Sequence, residues 1–486
     1  MERGLRAGVA VLVVLVLVAL LSASAGATLV SLGSDAESYT PPRIVIDAIG
    51  VGYTSWADGG AGQALDICRL APHASRCEAR HAFAFPGVGT STDAGNAPVL
   101  TAGGQLAVLD SRCCLMSDQK VLLISADHGT TFTGPSAIVA DHASGMTGDL
   151  LDLPAGTLGA GSPEQLLTSS TNSVAGGGSI QATGLAPAAT DPGWYTPPVA
   201  SGSLSESIAR SGSTLLAVYT SQTTPHYSVF WVRYQGGDPN TAASWTAPQP
   251  LSPSPSLDSN AQLAGGSAGI FVARSIATPG DNERLIAQRF TGSGWSMPVA
   301  ITNDASGQRF AITQTPNGII YVIWKDTDGS LRYAVARNKS ATRFGKSVKL
   351  ATRGEIEYPQ IAVNGEGAGW ATWTDDHTPS HVSALPIVPR PKVTRAGVVS
   401  LQTPRECVAI GGTFPASLTL SGKVQLASVR FSVSGGKAKA VARSPYRTTL
   451  TLKAAAKAVV VAQVRLPSTR GHRRSKSIRA TLTVCP

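Results

Sequence analysis

No phosphate-cradling glycine loop occurs in the 486 residues, which removes the nucleotide-binding folds built on one. Metal-binding spacings are equally scarce. His377-Thr-Pro-Ser-His381 has no glutamate beside its first histidine, and Pro379 denies the helix that a zinc hydrolase of that type requires. Asp326-Thr-Asp328-Gly329 begins like a calcium loop but has no acidic residue at the twelfth position, so a hairpin turn and no metal is expected there. Gly265-Gly-Ser267-Ala-Gly269 spells a nucleophile elbow, yet the Ile270-Phe-Val-Ala run after it is a strand where that motif needs a helix. No cysteine follows the apolar run Val9 to Leu21, which argues against a lipoprotein anchor. From Pro391 onward the chain has no tryptophan and one acidic residue, Glu406.

What is present begins with a secretory pattern over residues 1–27. Arg3 and Arg6 precede the thirteen apolar residues, and Ser22-Ala-Ser-Ala25-Gly-Ala27 offers two small-x-small cleavage points. Thirteen apolar residues are short for a membrane span, although an uncleaved anchor over Ala7 to Ala27 is the competing reading. Export predicts that the six cysteines form bridges and do not hold metal. Cys68 and Cys77 flank the expected outer hairpin of the first repeat unit, and Cys407 with Cys485 would tie the first strand of the tail to its last. Adjacent Cys113 and Cys114 are either a vicinal bridge or two thiols.

One spacing recurs. An apolar or aromatic residue, two spacers, tryptophan, a spacer and aspartate occur at Tyr53, Trp56 and Asp58, at Tyr321, Trp324 and Asp326, and at Trp370, Trp373 and Asp375. Weaker copies end near Leu109, Leu167, Tyr219 and Arg274, so the strands recur at roughly fifty residues, the period of a four-stranded propeller blade. A second aromatic series, Phe132, Trp194, Trp245, Trp295 and Phe344, runs in phase downstream. These predict an all-β chain: a β-propeller over 28–389 with seven blades, six being the alternative, then a small β-sandwich over 390–486. The unit from Glu355 to Pro389 is too short for four strands, and Thr28 to Gly33 is expected to complete it and so remove a sheet edge. Residues 145–189, rich in glycine, serine and alanine, are the weakest unit.

Ser125-Ala-Asp127-His-Gly129-Thr-Thr-Phe132 supplies what a tight hairpin needs: a glycine for positive φ, a short acceptor for the turn amides and an aromatic anchor. The octapeptide fits the S-x-D-x-G-x-x-[FW] pattern and resembles the Asp-box of the sialidase-like (BNR) β-propeller superfamily, where the turn lies away from the catalytic mouth. Ala336 to Phe344 resembles a degenerate copy with Asn338 in place of the aspartate. True sialidases use three arginines around a carboxylate, a tyrosine with a glutamate base, and an aspartic acid. The resemblance therefore nominates Arg43, Arg233, Arg274 and Arg332 for the arginines, with Glu357 and Tyr358 beside each other. Arg43-Ile44-Val45 matches the family's Arg-Ile-Pro motif only in part, and neighbours on a regular strand face opposite ways.

The overall charge of +10 divides unequally, with about +16 from Pro391 onward and about −6 before it. The basic tail reads as strands over 428–433, 448–452, 459–464 and 478–484. Phe431-Ser-Val-Ser-Gly-Gly, Ser444-Pro-Tyr446 and the closing Cys485 resemble bacterial immunoglobulin-like modules at the ends of secreted actinobacterial proteins. The cluster Arg470 to Lys476 is its densest charge. The expectation is an exported, monomeric, non-catalytic propeller that binds a glycan or protein ligand at the cell envelope. Its basic module would hold an anionic envelope polymer and no nucleic acid, and no cofactor is expected. The alternative is an exo-sialidase-type glycoside hydrolase with diverged motifs.

Overall fold

The three Trp-x-Asp segments fall on the second strands of antiparallel sheets, Gly52–Ala57, Ile320–Asp326 and Gly369–Asp375. A strand in that position is covered on both faces, which explains the continuous apolar runs and the full burial of Trp56, Trp324 and Trp370. The weaker copies also lie second in their sheets, on Leu106–Arg112, Gln165–Thr171, Thr214–Thr223 and Gly269–Ala277.

The computed structural model describes residues 29–485 except 37–40, 59–63, 73, 85–93, 113–118, 139–146, 172–177, 186–192, 194, 198–205, 224–225, 253–257, 278–282, 352–355, 376–379, 388–398, 405–406, 421–427, 434–437, 442–445, 454–457, 466–474 and 483. The export segment 1–27, Cys113, Cys114, Trp194, His377, Glu406 and the basic run 470–474 lie outside the described residues. The chain divides into two compact units, Met1–Val388 and Pro389–Pro486. Among the described residues the only helix is a single 3-10 turn at Ala242–Ser244.

In the first unit the leading strands of the sheets are Arg43–Ile46, Ala94–Leu100, Thr147–Leu153, Glu206–Ser211, Asp258–Gly266, the second half of Val299–Gln314, and Ile356–Val363. Each packs against the next and the last packs against the first, so the sheets are arranged around one axis as the blades of a β-propeller. They are numbered one to seven in that order. Val299–Gln314 serves two of them. Val299 to Ala305 completes blade five beside Glu283–Arg289, and Phe310 to Gln314 opens blade six beside Ile320–Asp326. Blade three has three full strands, with Tyr195 bridging Ile180 at the fourth position.

Blade seven takes its fourth strand from the start of the described chain. Val30–Ala36 runs antiparallel to Ser380–Ile387, with Val30 opposite Ala384 and Ser31 opposite Ser383. Val30 and Leu32 pack with Trp56, Trp370, Val382 and Ala384, so the strand both covers an edge and fills the seam between blades seven and one. Cys68 on the third strand of blade one is bridged to Cys77 in the turn that follows, with Cα atoms 5.6 Å apart.

The octapeptide closes the hairpin between Gln119–Ser125 and Thr133–Ile138. Ser125 Oγ accepts the Gly129 amide (2.8 Å) and donates to Asp127 Oδ1 (2.8 Å), which also accepts the amides of Thr130 and Thr131. Gly129 sits at φ +76°, and a Cβ there would press on Tyr53 at 3.2 Å. The Thr131 hydroxyl and amide, with Ser125, hold the Asp127 carboxyl well below the usual carboxylate range. At 336–344 Asn338 Oδ1 accepts the Thr342 amide, and Ala341 supplies the positive φ. The outer aromatics bracket neighbouring blades: Phe132 lies against His81 and Phe83, Trp245 stacks on Tyr195, and Trp295 meets Trp231 edge-on.

The second unit is a two-sheet sandwich. One sheet joins Val399–Gln402, Thr413–Leu420 and Arg447–Thr451, and the other orders Lys439–Val441, Ser428–Val433, Ala458–Arg465 and Ser475–Leu482. Phe414, Phe431, Tyr446, Leu450, Val460 and Leu482 lie between them. Cys407 is bridged to Cys485 across 78 positions, beside a parallel bridge from Val408 to Val484. Closing so long a loop restricts the unfolded chain and helps a core this small.

Candidate functional site

The leading strands of the ring run in one direction, so their first residues share one end. Hydrogen bonds at both ends establish this. At the far end Ser211 Oγ donates to Gly266 O (2.7 Å), Ser267 Oγ to Pro316 O (2.8 Å), Asn317 Nδ2 to Gly365 O (2.6 Å) and Asn364 Nδ2 to Ala48 O (3.3 Å), linking blades four to seven and then one. Ser267, the serine of the G-x-S-x-G run, therefore sits in a turn between two strands and caps the next blade. At the leading end the bonds join charged side chains.

The first charged group links blades one, three and four. Arg43 Nη1 meets Asp149 Oδ1 at 3.1 Å, while Asp149 Oδ2 accepts the Ser207 hydroxyl and, at 3.2 Å, the Ile208 amide. Ser207 Oγ in turn accepts the Leu263 amide of blade five at 2.9 Å. Blades one and three are not adjacent, so the Arg43–Asp149 pair reaches past blade two. The second group joins blades six and seven. Glu357 Oε1 takes both Arg309 Nη1 and, at 3.0 Å, Lys325 Nζ. The Glu357 side chain is 5% exposed and that of Arg309 is 36% exposed, so the arginine is the open side of this triad.

The four arginines nominated by sequence are not brought together. Arg43 is held by Asp149 at the leading end. Arg233 ends the third strand of blade four, toward the far end, and donates to Gly292 O at 2.8 Å. Arg274 is buried in the second strand of blade five with Nε on Gln288 Oε1 at 3.0 Å. Arg332, on the third strand of blade six, pairs with Asp326 and with Asp328 (3.2 Å). Burial pushes the Asp326 carboxyl up against the pull of Arg332, whereas the Ser330 hydroxyl and amide hold Asp328 well below the usual range.

Glu357 and Tyr358 correct the expectation of regular alternation. Tyr358 adopts φ +46°, and the pairing with blade seven's second strand shifts register between Glu357 and Gln360. That bulge re-aims the side chains at the leading end, so the opposite-face rule does not apply to this pair. Asp149, Arg309 and Lys325 carried no motif in the sequence. The only signal for Asp149 and Arg309 was their position near the start of a leading strand, which becomes visible once the repeat is in register.

Chemically, the described residues at the leading end include two groups of paired charges. Arg43 and Asp149 neutralise each other, and Arg309 with Lys325 leaves one net positive charge beside Glu357. These groups offer donors and acceptors to hydroxyl groups. Among the described residues no three His, Cys, Asp or Glu gather as metal ligands, and no helix is long and apolar enough to cross a membrane.

No family model matches the chain, and no curated protein matches it. Solved structures similar to it include a protein of unknown function from Dyadobacter fermentans, at 9% identity and TM-score 0.43, covering 75% of this chain and 98% of that one. A triple arginine mutant of AofleA from Arthrobotrys oligospora is similar at 10% identity and TM-score 0.41, covering 66% and 89%. A mutant of the Aleuria aurantia lectin bound to Fucα1-6GlcNAc is similar at 11% identity and TM-score 0.38, covering 75% and 97%.

Proposed function

We propose that the chain is an exported, monomeric, non-catalytic propeller of the sialidase-like superfamily that binds a glycan on the leading end of its ring. The observation that carries this is the pairing of charges there. Arg43 is paired with Asp149 and the other nominated arginines have separate partners, which supports a site for neutral or weakly anionic hydroxylated ligands over a three-arginine clamp on a carboxylate. Within the described triad Arg309 is the side chain open to a ligand, with Glu357 and Lys325 fixing its place. The basic second unit acts as the tether, holding an anionic envelope polymer through delocalised charge.

The test is a glycan array probed with the secreted chain and with the Arg309→Ala/Lys325→Ala double variant, alongside turnover of a fluorogenic sialoside. Binding of a glycan that falls at least tenfold in the double variant, without turnover, is the expected result. Sialoside hydrolysis, or glycan binding indifferent to both substitutions, would overturn the proposal. Retention on immobilised polyphosphate that weakens steeply with salt is expected of the tether.

A further inference from the structure

The far end of the ring carries a pair of carboxyls that the glycan rim does not use. Asp152 stands next to last on the leading strand of blade three, Thr147–Leu153, and Glu164 directly precedes the second strand, Gln165–Thr171. The register places Asp152 opposite Leu166 and Leu153 opposite Gln165, so the two carboxyls flank the mouth of one long hairpin turn. Asp152 is 8% exposed. Its Oδ2 accepts the Ala102 amide of blade two at 2.9 Å, which makes it a link between blades two and three at this end.

The remaining oxygens are the informative ones. Asp152 Oδ1 and Glu164 Oε1 are both buried and neither has a hydrogen-bond donor. Two acceptors cannot satisfy each other while both are ionised, whereas one proton between them satisfies both. The surroundings favour that proton. Burial, with the Glu164 charge, pushes the Asp152 carboxyl up to about 6, against the Ala102 amide and Arg210 of blade four, which favour the charged form. The blade-two turn from Thr101 to Gln105 contributes no charged group, and Glu164 is the only one in the segment 154–164.

We propose that Asp152 and Glu164 share one proton, and that this proton clasps the two sides of the blade-three hairpin at the far end of the ring in mildly acidic surroundings. When it leaves, two carboxylates are left facing each other. The two sides of the hairpin then repel each other, and this end of blade three loosens.

The experiment follows the full chain by tryptophan fluorescence during thermal unfolding from pH 5 to pH 8, with Glu164→Gln and Asp152→Asn beside the unaltered protein. An amide keeps a donor in the pair at every pH. The unaltered protein is expected to lose about 2–4 °C between pH 5 and pH 7.5 relative to Glu164→Gln, whose own profile is flatter over that range. Infrared difference spectra are expected to show a buried protonated carboxyl band at pH 5 that fades by pH 8 and is absent from both variants. Should Asp152→Asn fail to fold through loss of its Ala102 contact, Glu164→Gln and the infrared band decide alone. A pH dependence unchanged in Glu164→Gln, or no carboxyl band, overturns the clasp.

Discussion

Replacing Leu32 with alanine tests whether the borrowed strand holds the ring shut. Leu32 is 4% exposed and packs in the seam with Trp56, Trp370 and Val382. Three carbons leave the core, a transfer loss of about 2.4 kcal/mol at about 0.8 per methylene-sized group, and the residual cavity adds to it. An edge strand can relax inward, which keeps the expected cost near 3 kcal/mol, within the range for buried leucines. With a urea slope near 3 kcal/mol/M, the midpoint moves down by about 1 M. All eight tryptophans precede residue 374, so tryptophan emission follows the propeller without interference from the second unit. Leu29, 56% exposed on the same segment, serves as the comparison, and Leu29→Ala is expected to change stability by under about 0.5 kcal/mol. Equal shifts for the two variants, or a shift below about 0.2 M for Leu32→Ala, would show that the strand does not close blade seven.

Further outcomes concern the two ends of the ring and one strand contact. A double-mutant cycle on Arg43→Ala and Asp149→Ala, read by urea unfolding, is expected to give a coupling of about 0.5–1 kcal/mol that shrinks in high salt. Gly265→Ala is expected to destabilise by about 1–3 kcal/mol, because its Cβ would overlap the Arg210 backbone of blade four, whereas Gly294→Ala, which faces open space, is expected to be neutral in the same assay. Asp152 has a folded-state pKa raised to about 6 over an unfolded value near 4, so the folded chain holds the extra proton between those values. Its contribution is therefore complete below about pH 4 and is lost as pH rises through about 6, a loss of about 1–3 kcal/mol visible as a stability difference from Asp152→Asn across that window.

The blade repeat was legible because burial repeats. Trp56, Trp324 and Trp373 occupy equivalent central strands, where a large aromatic packs between sheets and the same spacing returns with each blade. The turn at 125–132 was equally legible, since Ser125, Asp127 and Gly129 satisfy one another within eight residues. The leading-end charges were not. Arg43 and Asp149 are 106 positions apart and Arg309 and Glu357 are 48 apart, so nothing local relates them. Their pairing depends on which strand faces the axis, and that emerges only when the ring closes. The bulge at Tyr358 escaped for a related reason, because a tyrosine has no intrinsic preference for positive φ and the neighbouring strand imposes it. In the second unit the short strands at 399–402 and 439–441 have too few residues to show alternation, and they form because longer strands pair with them.

Ring closure can be captured covalently. Ser31 and Ser383 stand opposite each other on the strands that complete blade seven, so a chain carrying Ser31→Cys and Ser383→Cys places two thiols at cross-strand distance. After oxidation, proteolysis and mass spectrometry, a closed ring predicts a disulfide between peptides containing positions 31 and 383 in the monomer. Two free thiols, or the same bridge found only between chains in a dimer, would contradict it.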